Sequence, residues 1–278
     1  MSEKSSSLKL GSNYIISHTI DNWNYTSNNK QQINYILRAN KPVVCVDVKQ
    51  DKCVILQESI DAKIENKKIS LSRPNEIALS MHIANESLNK SQELRKSIIR
   101  KIGKDKNKKF YENDVVEIYD YLEEAQKAII FSYKAIEAMC NSAIPDDYVY
   151  KKPSNKIGVV EAYDNLAIER WVSTTEKVSK ILPDIYHCVS PAQKPFWGHF
   201  KKLEELRNEI IHSKSSSSSQ VLSELLSTDI GKYVKSCETL LKFFFEQDRR
   251  NQMFPLIPGI TEIVGTEMED MEEYFKNV

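Results

Sequence analysis

Glycine is scarce in this chain, at 7 of 278 residues, where average usage gives roughly 19. That scarcity argues against a glycine-cradled dinucleotide fold and favours a mainly helical protein. The five cysteines (Cys45, Cys53, Cys140, Cys188, Cys237) are odd in number, scattered, and form no Cys-x-x-Cys pair. This is the pattern of neither a disulfide framework nor a zinc finger. Charge of one sign is also missing: 39 lysines and arginines balance 39 aspartates and glutamates. Binding of nucleic acid by bulk charge is thereby excluded, and any such site must be local. No apolar run approaches the ~18 residues of a membrane span, and the polar start Met1 to Ser7 lacks the apolar stretch of a secretion signal. His-Glu-x-x-His, P-loop and Gly-x-Ser-x-Gly motifs are absent, so metal, NTPase and serine-hydrolase readings have no support. The expectation is a cytoplasmic protein with no membrane association, no cofactor and no metal. With 41% hydrophobic and 28% charged residues, the chain is globular rather than disordered.

Three textures follow one another. Residues 1–74 hold β-type runs at Val43 to Val48, Cys53 to Leu56 and Lys68 to Leu71, with the polar pieces 49–52 and 58–67 expected as turns or loops. This reads as a small β-rich or α+β module, closed by Arg73-Pro74-Asn75 with Asn75 as a helix N-cap. Residues 75–250 carry a helical period. One helix runs from Asn75 to a stop at Gly103; a longer, more apolar one spans Asp114 to Ala143 and belongs at the centre of a bundle. Ser173-Thr174-Thr175-Glu176 is a capping box opening another helix, which Pro183 interrupts or tightens. A further helix is expected over about 196–213, and after the serine run Ser215 to Ser219 a single long helix over about 220–247. Residues 251–278 are acidic, weakly patterned and read as a tail.

The informative segment is Leu203 to Ser213, LEELRNEIIHS. Leu203, Leu206 and Ile210 make its apolar stripe. Arg207, Asn208 and His212 lie on the other side, with Asn208 and His212 four residues apart, so the amide could hold the imidazole. An arginine beside a histidine is sufficient for metal-free RNA cleavage. Histidine moves a proton near neutral pH, guanidinium charge stabilises a phosphorane, and the ribose 2′-hydroxyl is the nucleophile. No other arginine has a histidine four to six residues downstream. The blander reading pairs Arg207 with Glu204 on the surface and leaves His212 simply favouring a helix C-terminus.

Arg207-Asn208-Glu209-Ile210-Ile211-His212 resembles the Arg-(four to six residues)-His motif of HEPN domains, helical bundles of prokaryotic defence and toxin systems. Phe131 to Asn141, Ile168 to Ser173 and Ile181-Leu182-Pro183 extend the resemblance over about 110–250. It implies a HEPN-like antiparallel bundle following the β-containing module, and a metal-independent endoribonuclease acting as a homodimer at a shared cleft. Its product would carry a 2′,3′-cyclic phosphate. In that reading Arg207 is the phosphate clamp, His212 the acid and base, and Asn208 the polar residue after the arginine. Glu137 either orients Arg207 or is a solvent-exposed glutamate. Some members carry a modified tyrosine two residues after the histidine; here that place is Lys214. Lys201, Lys202 and Lys214 are the candidates for RNA contact. The substrate would be tRNA or mRNA, with an antitoxin or defence-complex partner held through the N-terminal module. The other functional class consistent with the residues is a non-catalytic RNA-, nucleotide- or protein-binding subunit of a defence complex.

Overall fold

Helix-forming periodicity begins at Glu76, and there the chain changes unit. A computed structural model describes residues 14–21, 30–32, 38–47, 52–104, 107–111, 113–154, 158, 160–212, 218–227, 229–249, 251, 253–258, 260 and 262–267. The chain divides into two units, one of residues 1–75, 249–256 and 260–278, the other of 76–248 and 257–259. The protein is mainly helical with a β-containing N-terminal part.

In the β unit, β1 (Tyr14–Asp21), β2 (Lys30–Gln32), β3 (Val43–Asp47), β4 (Lys52–Ile64), β5 (Lys67–Ser72) and β8 (Glu262–Glu267) form one sheet. Its order is β1-β4-β3-β8-β2, with β5 paired to β4. Val43 to Val46 are all buried, which is why this strand reads as a continuous apolar run rather than an alternation. Val44, Val46, Cys53, Ile55 and Leu256 make one core cluster. A polar node joins the segment before β3, the middle of β4 and the residues after β5. Asn40 Nδ2 donates to Glu58 Oε2 at 2.7 Å, Gln57 Nε2 to the Asn40 carbonyl at 2.7 Å, and Asn75 Nδ2 to Asn40 Oδ1 at 2.8 Å.

Two expectations are corrected here. The polar stretch 58–67 is not a loop: β4 continues to Ile64, and a two-residue turn at Glu65 and Asn66 joins it to β5. Glu65 takes φ 52°, the left-handed backbone that such hairpin turns require. The hairpin is only partly buried: Ile60, Ala62, Ile69 and Leu71 are half-buried, and Asp61, Lys63, Lys68 and Ser70 between them are exposed. Nor are residues 251–278 simply a tail, because Glu262–Glu267 pairs in parallel with β3 and antiparallel with β2. Val48, the last residue of the first expected run, lies outside the described residues.

The helical unit is built on α1 (Glu76–Ile102) and α2 (Asn113–Ala143). Gly103, at φ 57°, stops α1 as expected. Ion pairs Glu76–Lys134, Lys90–Glu124 and Lys101–Glu117 set the two helices antiparallel. A small hairpin, β6 (Tyr150–Pro153) and β7 (Val160–Tyr163), precedes α3 (Asn165–Trp171) and α4 (Thr174–Glu176). Ser173 caps α4 by accepting the Glu176 N–H. A π turn over Lys177–Ile181 then leads into α5 (Leu182–Ile185). This turn is how the chain admits Pro183. The Ser179 carbonyl, left without a Pro183 N–H, accepts the Ser190 hydroxyl at 2.7 Å instead.

Next come α6 (Trp197–Ile211), α7 (Ser218–Ser227) and α8 (Gly231–Phe245). Ile129, Ile136 and Met139 of α2, Phe200, Leu203 and Leu206 of α6, and Val234, Leu241 and Phe244 of α8 are buried together in this unit. The single helix expected over 220–247 is two helices. Asp229 Oδ1 takes the Gly231 N–H at 2.9 Å, and a side chain at Gly231 would meet Gln92 Nε2 at 2.9 Å. A side chain at Gly231 would therefore have to displace the ends of Gln92 and Asp229 at the break. No helix among the described residues is long and apolar enough to cross a membrane.

The α1–α2 interface yields a pH prediction. Lys90 and Lys127 donate to Glu124, at 2.9 and 3.1 Å. Hydrogen bonding, from Lys90 first, outweighs burial and holds this carboxyl down at about 2. A depressed carboxylate stabilises the fold above its ordinary value of 4.5 and loses that contribution as pH falls through about 2. In denaturation series, Glu124→Gln should be less stable than wild type at pH 7. The two proteins should converge on acidification from 4.5 toward about 2.

Candidate functional site

Four-residue spacing along α2 places Tyr133, Glu137 and Asn141 in one row. Their side chains form a polar row, and each member has its partner. Tyr133 Oη donates to Glu204 Oε1 at 2.8 Å. Arg207 Nη2 donates to Glu137 Oε1 and Oε2 at 3.2 and 3.4 Å. Lys177 Nζ donates to Asn141 Oδ1 at 3.0 Å and to the Glu169 carbonyl at 3.1 Å. Glu204 and Arg207 are three apart on α6, so these rungs rise along α2 and α6 in the same chain direction.

Arg207 is held on three sides. Its guanidinium carbon lies 4.8 Å from the centre of the Tyr133 ring, its Nη2 faces Glu137, and its Nη1 donates to Asn208 Oδ1 at 3.0 Å. Its side chain is 22% exposed. Glu137 is half-buried. Burial pushes its carboxyl up, and the Arg207 and Lys177 charges only partly oppose that, with Glu204 adding to the rise. Lys177 is buried at the start of the π turn, and desolvation lowers its affinity for a proton.

His212 follows the last residue of α6. Its N–H closes the helix on the Asn208 carbonyl at 2.9 Å, and the residue is exposed. Among the described residues its ring has no hydrogen-bond partner. The structure thus brings Arg207, Asn208 and Glu137 together and leaves His212 at the open helix end. The Asn208 side-chain oxygen is turned to Arg207, so the amide holds the guanidinium and not the imidazole. His199, earlier on α6, has its ring 6.0 Å from that of Tyr233.

Two of the basic residues proposed for RNA contact are ion-paired. Lys201 Nζ donates to Glu204 Oε2 and, at 2.9 Å, to Thr175 Oγ1. Lys202 pairs with Glu205 at 3.5 Å. Neither is a free cation, because a glutamate stands three residues on in each case. Lys214 lies outside the described residues. The surface pairing of Arg207 with Glu204 is not what the structure holds. Glu204 is buried and faces Tyr133, Thr175 and Lys201, while Glu137 takes the arginine.

Sequence reasoning missed Tyr133, Glu204, Thr175 and Lys177. The available signal was the row of polar residues at 133, 137 and 141 beside the buried positions Ile129, Ile136 and Cys140 of α2. All five cysteines are free; burial pushes the thiols of Cys140 and Cys237 up to about 12. No group of three or more metal-ligating side chains occurs among the described residues. Comparison with protein-family models, with curated proteins and with solved structures finds no match to this chain.

Proposed function

We propose that this chain is a metal-independent endoribonuclease of the HEPN kind, a toxin or antiviral effector that cuts tRNA or mRNA. The observation that carries the reading is the Arg207-Asn208-x-x-x-His212 constellation. Its arginine is already oriented by Glu137 and Asn208, and its histidine is open to solvent at the helix end.

In this reaction the ribose 2′-oxygen attacks the adjacent phosphorus while His212 takes the 2′-hydroxyl proton. Negative charge grows on the non-bridging oxygens, where the outward edge of the Arg207 guanidinium meets it. The bond from phosphorus to the 5′-oxygen then breaks, and that oxygen leaves with a proton. The products are a 2′,3′-cyclic phosphate and a 5′-hydroxyl. Removing one proton and supplying another suits two histidines, which a homodimer with facing α6 helices provides. Glu137 fixes the guanidinium plane. Glu137→Gln retains an oxygen acceptor but turns an amide N–H₂ toward other N–H groups, and is expected to cut the maximal rate about tenfold with KM unchanged.

The test is purified protein with total tRNA and mixed RNA in EDTA, beside His212→Ala, with product 3′ ends assayed for cyclic phosphate. Cleavage lost in the variant supports the reading. Salt-sensitive RNA binding without product, unchanged in His212→Ala, would make the chain a binding subunit instead.

A further inference from the structure

Glu204 is one turn before Arg207 on α6, is buried, and makes neither a hydrogen bond nor an ion pair with the arginine, whose polar contacts go to Glu137 and Asn208. Both its oxygens are occupied. Oε1 accepts the Tyr133 hydroxyl at 2.8 Å, and Oε2 accepts the Thr175 hydroxyl at 2.6 Å together with the Lys201 ammonium. Lys201 also donates to Thr175 Oγ1 at 2.9 Å, which closes the network. Three elements, α2, α4 and α6, thus commit polar groups to one carboxylate. An apolar side chain would fill that space without needing any of them, so the arrangement calls for a reason beyond packing.

The reason is visible one contact further on. Tyr133 is buried; its ring stacks on Phe200 with centroids 6.2 Å apart and planes 13° from parallel, and it carries the Arg207 guanidinium 4.8 Å from its centre. A ring fixed by packing and by a hydrogen bond at its hydroxyl has no freedom to turn under the cation. Burial works against ionisation of Glu204. Hydrogen bonds from Lys201, Thr175 and Tyr133 outweigh it and hold the carboxyl below the ordinary range, so its acceptor oxygens stay charged at neutral pH.

We propose that Glu204 is a positioning residue for Arg207, acting through Tyr133, and that Lys201 and Thr175 are its supports. The proposal rests on the reading of Arg207 as the phosphate-binding group. It also moves Lys201 from the RNA surface into the support of the site.

The experiment uses the full chain with Tyr133→Phe, Glu204→Gln and Lys201→Ala. One measurement is single-turnover cleavage of RNA in EDTA. The other is the side-chain Nε–Hε NMR signal of Arg207, identified by its absence in Arg207→Lys. Tyr133→Phe and Glu204→Gln should each lower the maximal rate about tenfold, leave the half-saturating RNA concentration within about twofold, and shift or broaden the Arg207 signal. Lys201→Ala should leave the salt dependence of RNA binding unchanged, since an internally paired lysine displaces no counter-ion from RNA. An Arg207 signal unmoved in both Tyr133→Phe and Glu204→Gln overturns the proposal, and so does a moved signal with undiminished cleavage. If Glu204→Gln does not fold, Tyr133→Phe, which keeps the ring and removes only the hydroxyl, decides. If wild type cleaves no RNA, the nuclease reading fails by itself, and the Arg207 signal still tests the positioning.

Discussion

Replacing His212 by alanine is expected to lower metal-free RNA cleavage by about a thousandfold, the middle of the range for loss of a positioned acid or base. The residue is exposed, follows the end of α6, and engages the fold through its backbone N–H to Asn208. An alanine keeps that bond. Stability should therefore stay within about 0.5 kcal/mol of wild type, as for other surface substitutions, and a loss of rate cannot be ascribed to unfolding. His199→Ala is the matched control: it removes a histidine of the same helix whose ring lies beside Tyr233. It should retain cleavage. Undiminished formation of cyclic-phosphate ends by His212→Ala would remove this histidine from the chemistry and the nuclease reading with it.

Arg207→Ala should cost about a hundredfold to a thousandfold in the maximal rate, as expected for loss of one preorganised group facing transition-state charge. Arg207→Lys should recover little of it. A single ammonium cannot keep Glu137 and Asn208 and still present a donor edge outward, whereas the guanidinium fork does so. The same variants carry a stability signature with a definite sign. Glu137 titrates above the ordinary carboxylate value because burial disfavours its charge, and Arg207 offsets part of that penalty. Without the arginine, the ionised carboxylate is penalised more. The deficit of Arg207→Ala in a denaturation series should then be largest at neutral pH. It should shrink as pH falls through the Glu137 value, where the carboxyl becomes neutral in the folded state. A deficit independent of pH would show that the ion pair contributes nothing to folding.

Some of this was legible in the residues. Helix α1 could be bounded because Pro74 and Gly103 act on their immediate neighbours, and α2 because Pro145 lies just beyond it. The Ser173 cap could be read because its partner, Glu176, is three residues away. The Arg207–His212 segment stood out for the same reason, since residue types and spacing within one helix are local properties. The partners of that segment were not. Glu204 sits in Leu203-Glu204-Glu205-Leu206, where the apolar period sends both glutamates outward. In the structure only Glu205 is exposed, and Glu204 is drawn in by Tyr133, 71 residues earlier in the chain. Lys201 turns inward with it.

The sheet divides along the same line. The apolar runs at 43–47 and 53–56 announced β3 and the first part of β4, because burial on both faces selects a continuous apolar pattern. The run at 68–71 announced β5 as well, but residues 58–64 are half-buried or exposed and read as a loop, and β8 is recruited to β3 from more than two hundred residues away. What the sequence by itself determined is α1, α2 and α6 with their local stops, the Ser173 cap, the apolar strands, and the arginine–histidine spacing, because each depends on near neighbours. Only the tertiary structure decided which glutamate holds Arg207, which is buried beneath its aromatic support, and where the C-terminal strand pairs. A polar side chain's burial is settled by the donors that distant elements bring to it, and no local period encodes that.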